Sequence, residues 1–178
     1  KKSYEHSLCD DIGKVAKRFP DMNFMIYHSG YVPGQAESAY DANHNDGIDS
    51  LVRTVLENDI APNSNVYAEL GSTWRSASMR DPQSAAHVLG KLFKYIGEDN
   101  VLWGTDSVWY GSPQDQIQAF RTFQIPQQLR EEFGYPEITP ELRAKVFGLN
   151  AIVPYKISVE EVLRSAARDS LTLRRENY

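Results

Sequence analysis

The chain is 178 residues long; 41% of them are hydrophobic, 24% charged and 11% aromatic. That composition excludes a disordered, collagen-like or low-complexity protein, and the length suits one domain burying roughly 70% of its unfolded surface. Lys and Arg total 19 against 24 Asp and Glu, a net charge of −5, and no cluster of bases interleaves with aromatics, which argues against a nucleic-acid partner.

The single cysteine, Cys9, cannot form an internal disulfide. It reads as a small core residue in a reducing, cytoplasmic setting. No apolar run approaches the roughly 18 residues of a transmembrane helix, so no membrane partner is expected. The sequence opens inside a helical pattern, with no initiator Met and no signal-peptide core after Lys1 and Lys2, which suggests the later part of a longer chain.

Along the chain, helical and strand patterns alternate. Leu8, Ile12, Val15, Ala16 and Phe19 recur at helical spacing until Pro20. Residues 23–27 form an apolar burst closed by His28-Ser29-Gly30, which predicts a buried strand ending in a loop. A polar stretch over 34–47 precedes a second helical face of Ile48, Leu51, Val52, Val55 and Leu56. Residues 65–70 read as a second strand, broken by Gly71-Ser72. Asp81-Pro82 opens a helix that runs to Gly97, as a cap followed by proline. Residues 101–106 read as a third strand; Ser112-Pro113, Pro126 and Thr139-Pro140 then start three helices. Ser158 with Glu161 fits a capping box for a last one. Strands separated by helices and roughly 40 residues apart predict a parallel α/β sheet.

In such folds, ligands gather at the carboxyl ends of the strands. Those ends carry His28-Ser29-Gly30, Glu69-Leu70-Gly71-Ser72 and Thr105-Asp106-Ser107. Side-chain alternation would turn His28 inward with Ile26 and Phe24, leaving Met25 and Tyr27 toward the helices. The same rule turns Asp106 inward with Gly104 and Leu102, and Trp103 outward. His28 reads either as a hydrogen-bonded core histidine or as a functional group. A carboxylate such as Asp106 after an apolar strand is costly to bury without a cation or donors, which favours function. Glu69 stands evenly between the two readings. Trp74, Trp109 and Tyr31 could line a pocket, Arg75 could hold an anionic substrate, and His44 lies in the longest polar loop. Each has an ordinary packing or surface alternative. His6 and His87 read as structural or exposed. There is no glycine-rich nucleotide loop, paired cysteine motif, His-Glu-x-x-His, Gly-x-Ser-x-Gly or His-x-His pattern.

Three segments together resemble one family. Residues 19–30, Phe-Pro-Asp-Met-Asn-Phe-Met-Ile-Tyr-His-Ser-Gly, resemble the sixth-strand block of the amidohydrolase-2 family of metal-dependent hydrolases. Residues 101–107, Val-Leu-Trp-Gly-Thr-Asp-Ser, resemble its eighth-strand block, and residues 145–151 its closing helix. The resemblance implies that residues 1–178 are the carboxyl-terminal part of a single (β/α)8 TIM barrel, strands six to eight with their helices. It implies a divalent metal, usually zinc, with Asp106 and His28 as metal ligands or acid/base groups beside its water. Glu69, Trp74, Arg75 and Trp109 would then face a small-molecule substrate. Members are hydrolases or non-oxidative decarboxylases of aromatic or unsaturated carboxylic acids. The family's first-strand His-x-His pair and fifth-strand histidine have no counterpart here. The expected partners are therefore the missing amino-terminal half, a partner chain or further copies of this one. The opposing reading is a catalytically silent half-barrel that binds or scaffolds.

Overall fold

A computed structural model of the protein describes residues 8–169; His6 lies outside them. Three parallel strands form one sheet in chain order: β1 (Phe24–Ile26), β2 (Val66–Glu69) and β3 (Val101–Leu102). Phe24, Met25 and Ile26 stand against Val66, Tyr67 and Ala68, and Ala68 and Glu69 against Val101 and Leu102. Helix α1 (Ile12–Arg18) precedes the sheet, α2 (Gly47–Glu57) joins β1 to β2, and α3 (Gly71–Arg80) and α4 (Pro82–Lys91) join β2 to β3. Helix α4 continues through a wider π turn at Leu92–Ile96. After β3 come a short turn α5 (Ser107–Tyr110), then α6 (Gln114–Thr122), α7 (Gln127–Phe133), α8 (Pro140–Phe147), α9 (Ile152–Tyr155) and α10 (Val159–Ala167).

The core forms where helical and strand periods meet. Leu51, Val52 and Val55 of α2, Leu89 and Leu92 of the α4 stretch, and Val66, Ala68 and Val101 of the sheet are all buried. Trp103 packs on Phe120 and Phe147, ring centroids 5.2 and 4.7 Å away, and so faces the helices as the alternation predicts. Cys9 is buried in the same core, and burial pushes its thiol up to about 11. Caps foreseen in the sequence form: the Ser84 N–H donates to Asp81 at 2.6 Å, Leu142 N–H to Thr139 at 3.2 Å, and Glu161 N–H to Ser158 at 3.3 Å.

Three asparagines, two at strand starts and one in the closing turn, donate to backbone carbonyls and pin neighbouring segments together. Asn65 Nδ2 donates to the carbonyls of Ala16, Phe19 and Met22, so the end of α1 is pinned to the start of β2. Asn100 reaches Ser64 and Val66. Asn150, in the closing block, donates to Glu98 and Val101 at 2.8 and 2.9 Å, which anchors the turn after α8 to β3.

The structure departs from the sequence reading in several places. Helix α3 was not foreseen: it begins at a glycine and two hydroxyl residues and has no side-chain cap, so no start signal marks it. The third strand ends at Leu102 rather than at Asp106. The facing of β1 is the reverse of that expected: Ile26 is buried and Phe24 partly buried in the helix-packed core beside Val66 and Ala68, while Met25 and Tyr27 point away from the helices and are 41% and 65% exposed.

Candidate functional site

All three strands end on one side of the sheet, and there the backbone leaves its regular course. His28 and Ser29, directly after β1, have φ of 55° and 54°, and Asp106, after β3, has φ of 50°. Such left-handed conformations are uncommon for residues other than glycine and persist only when the surroundings enforce them. The enforcing contacts are visible. Ser29 Oγ donates to the Glu69 carbonyl at 2.8 Å, Thr73 Oγ1 donates to the His28 carbonyl at 2.7 Å, and the His28 N–H donates to Glu69 Oε2 at 3.1 Å.

Strands β1 and β3 are not neighbours, yet their end residues meet above the end of β2. His28 Nε2 lies 3.2 Å from Asp106 Oδ2, and His28 Nδ1 lies 3.9 Å from Glu69 Oε2. Two glycines give Glu69 its room. A Cβ at Gly104 would overlap Glu69 Oε1 and stand 2.8 Å from the Gly71 nitrogen; one at Gly71 would meet His28 Cε1 at 2.6 Å and Glu69 Oε2 at 2.8 Å. Gly71 also takes φ of 39°, in the left-handed region that costs glycine little.

The hydrogen bonds fix the imidazole's tautomer. The Ser72 N–H donates to His28 Nδ1 at 3.2 Å, so in the neutral ring that nitrogen is the acceptor and Nε2 carries the proton. The proton thus points at Asp106, the arrangement by which a partner on one ring nitrogen sets the chemistry of the other. Ser72 Oγ, 3.4 Å from Nδ1, can turn to accept when the ring is protonated.

Burial raises the Glu69 carboxyl above the usual carboxylate range; the His28 N–H, the His28 ring and the Gly71 N–H pull it back, and the Asp106 charge pushes it further up. Tyr27 leans on the His28 ring with centroids 3.6 Å apart. Lost hydration, then the charges of Asp106 and Glu69, raise its phenol. The cluster therefore holds the His28 imidazole and the Asp106 carboxylate at hydrogen-bond range, with the Glu69 carboxylate 3.9 Å from the ring and an exposed phenol beside them. That set can take up, hold and return a proton.

Two of the foreseen residues, His28 and Asp106, are brought together, and Glu69 joins them. Trp109 lies at the open rim, 78% exposed, its N–H bonded to the Asp106 carbonyl at 2.9 Å. Arg75 stacks on Tyr110 at 4.3 Å, one helical turn beyond Ser72. Trp74 is placed elsewhere: it is fully buried against Phe120 and Phe123, with its indole N–H donated to the Gln116 carbonyl at 3.0 Å. It supports the site from the core and does not line it. Tyr31 is buried too. His44 is held away from the cluster by Asp49, at 3.0 Å, and His87 bonds the Tyr135 hydroxyl at 3.2 Å. The sequence reading missed Tyr27, Ser72 and Gly104, whose parts depend on the turn geometry at the strand ends.

Parallel strands, crossover helices and a proton-handling cluster at the carboxyl ends define an α/β protein of enzyme type. The sequence profile of one family, described as amidohydrolase, matches residues 3–157, and the chain belongs to that family. No curated protein and no solved structure matches it. The family generally uses divalent metals. Among the described residues, no group of three or more His, Cys, Asp or Glu is placed to hold a metal ion. His28 Nε2 and Asp106 Oδ2 face each other instead, and a catalytic zinc needs about three protein ligands. These residues alone do not fit a metal centre. No helix among them is long and apolar enough to cross a membrane.

Proposed function

We propose that the protein is a metal-dependent hydrolase of the amidohydrolase type, acting on a small organic substrate, with aromatic carboxylic acids the class the family resemblance suggests. The observation that carries this reading is the 3.2 Å pair of His28 Nε2 and Asp106 Oδ2, delivered by two non-adjacent strand ends in strained backbone. The three strands are read as strands six to eight of a (β/α)8 barrel, which takes roughly 250 residues in full. The remaining strands, from a preceding segment or a partner chain, would add the missing ligands and cover the edge of β1.

In that arrangement a divalent metal, zinc being the usual one, would be held by ligands of the remaining strands together with His28 or Asp106, and would supply an activated water. The residues described here do the rest. Asp106 accepts a hydrogen bond from the Nε2–H of His28 and keeps the ring oriented, and a proton can pass between the two groups along that bond. Ser72 holds Nδ1 and adjusts when the ring is charged. Glu69 fixes the His28 backbone by accepting its N–H. Arg75 and Trp109 stand at the rim toward the substrate.

The test is turnover of a panel of small amides and aromatic carboxylates, with and without added zinc, using protein that includes the complementary strands. The expected result is zinc-dependent turnover that drops by about 10²-fold or more in His28→Ala, the scale of acid/base catalysis. Analysis of the products for carbon dioxide separates hydrolysis from decarboxylation. Zinc-dependent turnover that is unchanged in His28→Ala would refute the assignment.

A further inference from the structure

The rest of the fold leaves helix α10 uncovered. None of its residues is buried, and every residue from 155 to 169 is exposed. Val159, Val162, Leu163 and Ala166 recur at helical spacing and make one apolar face, on which the two valines and the leucine are 45%, 51% and 65% exposed. The helix has nine residues, fewer than the roughly 12–15 that hold in water without tertiary packing. Its Ser158 cap contributes only about 1 kcal/mol. The apolar face therefore calls for a cover.

Three surfaces could supply one, and the residues favour one of them. The complementary strands of the barrel are the first. But α10 begins beyond residue 157, where the match to the family ends, so it is an addition to the family's domain and not a piece that the domain needs for closure. A lipid surface is the second. Helices that lie on membranes pair bulky or aromatic residues with a polar face rich in Lys and Arg, whereas this face is mostly Val and Ala and its polar side opens with Glu160 and Glu161. The third is α10 itself, and its charges suit that cover. Glu160 and Arg164 lie along one edge of the apolar face, joined at 2.7 Å. In an antiparallel pair this edge meets the same edge of the other copy, and each Glu160 then stands near the other copy's Arg164. A parallel pair would instead set it against the opposite edge, which carries Glu161. The helix dipoles also oppose one another only in the antiparallel pair.

We infer that α10 is a self-association surface, pairing antiparallel with α10 of a second copy about a two-fold axis near Val162. Val159, Val162, Leu163 and Ala166 form the seam, and Glu160 and Arg164 set the direction. So short a seam buries less than the roughly 800 Å² per partner of a standard interface, so the dimer is a reversible one. The pairing goes beyond the hydrolase reading and does not depend on it.

The experiment is sedimentation velocity of the 178-residue chain across a concentration series. A monomer–dimer equilibrium with Kd of about 10 to 100 µM is expected. Leu163→Glu, an exposed substitution that costs the monomer little, should weaken it about 100-fold or more, because it places a charge in the seam of each copy. Glu160→Arg and Arg164→Glu should each weaken self-association roughly 10-fold, and an equimolar mixture of the two should recover wild-type affinity as a heterodimer. A monomer at about 500 µM would overturn the pairing. A dimer that Leu163→Glu leaves intact would overturn it too, and would assign association to another surface such as the edge of β1. Binding to vesicles of phosphatidylserine and phosphatidylcholine by a chain that forms no dimer would give the face to lipid. Loss of the dimer in protein that includes the complementary strands would give it to those strands. Failure of the mixture to recover affinity would overturn the antiparallel direction.

Discussion

Two clusters of the same residue types sit within this small domain and have opposite characters. At the strand ends, His28, Asp106 and Glu69 are partly open, with side chains 17–23% exposed. Beneath the loop after β1, Lys91 of α4 meets Glu37 of the loop and Asp49 of α2, with all three side chains 0–2% exposed. There Lys91 Nζ donates to Asp49 at 2.6 Å and to Glu37. Glu37 Oε1 also accepts the Ile48 N–H at 3.0 Å, and the Glu37 N–H donates to Ser84 Oγ at 3.0 Å. Each cluster contains a His–Asp pair, His28–Asp106 at 3.2 Å and His44–Asp49 at 3.0 Å. The difference lies in what surrounds them. The buried cluster is cross-linked by its own cation, which joins a loop to α2 and α4 with all three side chains out of solvent. The strand-end cluster has no cation, sits in strained turns and faces outward. The first fastens a loop to two helices, and the second is left free to react.

That contrast can be broken most forcefully at Lys91. Lys91→Met would strand two buried carboxylates, and chemical or thermal unfolding should show a loss of roughly 3–5 kcal/mol. Adding Glu37→Gln and Asp49→Asn should recover part of that loss, since no buried charge is then left unpaired. If Lys91→Met alone is neutral, the cluster is not the fastening described here.

A smaller effect is expected at Gly104. Gly104→Ala would push on Glu69 Oε1 and on the backbone of Gly71, and should cost about 1–3 kcal/mol, the usual scale of overpacking. His28 ring signals in NMR should shift with it, because Glu69 and Gly71 both touch that ring. Unmoved His28 signals would show that the cluster adapts more freely than its contacts suggest.

The smallest effect concerns pH. Folding raises the Glu69 pKa above its ordinary value of 4.5, so the native state holds this proton to higher pH than the unfolded chain does. Its contribution to stability is therefore fully present below that ordinary value and declines as pH rises through the raised one. Glu69→Gln should flatten that decline, as measured by unfolding midpoints across pH 4 to 7. An identical pH profile in both proteins would mean that burial does not raise the Glu69 pKa.

The strand ends were legible in the sequence, and the buried cluster was not. Each strand announces itself as an apolar burst closed by polar residues, and this places His28, Glu69 and Asp106 on one side of the sheet. The reason given for Asp106 was alternation along a strand; in fact the ladder stops at Leu102, and a turn at φ 50° directs the side chain. Alternation led to the right residue by a geometry it does not describe. Lys91 has no comparable signal, since it follows an apolar helical stretch whose pattern reads the same with or without it. Its partners are 42 and 54 residues away in sequence, and only the packing of α2 and α4 unites them. For Trp74 the sequence leaves pocket lining and core packing equally open, and the unforeseen helix α3 decides for the core.

The central claim is that Asp106 serves chemistry while Lys91 serves the fold. It is tested most directly by measuring turnover per folded molecule and the unfolding midpoint for Asp106→Asn and Lys91→Met in parallel. Asp106→Asn should lose about 10²-fold or more in turnover with a midpoint close to wild type. Lys91→Met should unfold far earlier while its folded fraction turns over at the wild-type rate. Full turnover in Asp106→Asn, or a loss in Lys91→Met confined to turnover, would contradict the account.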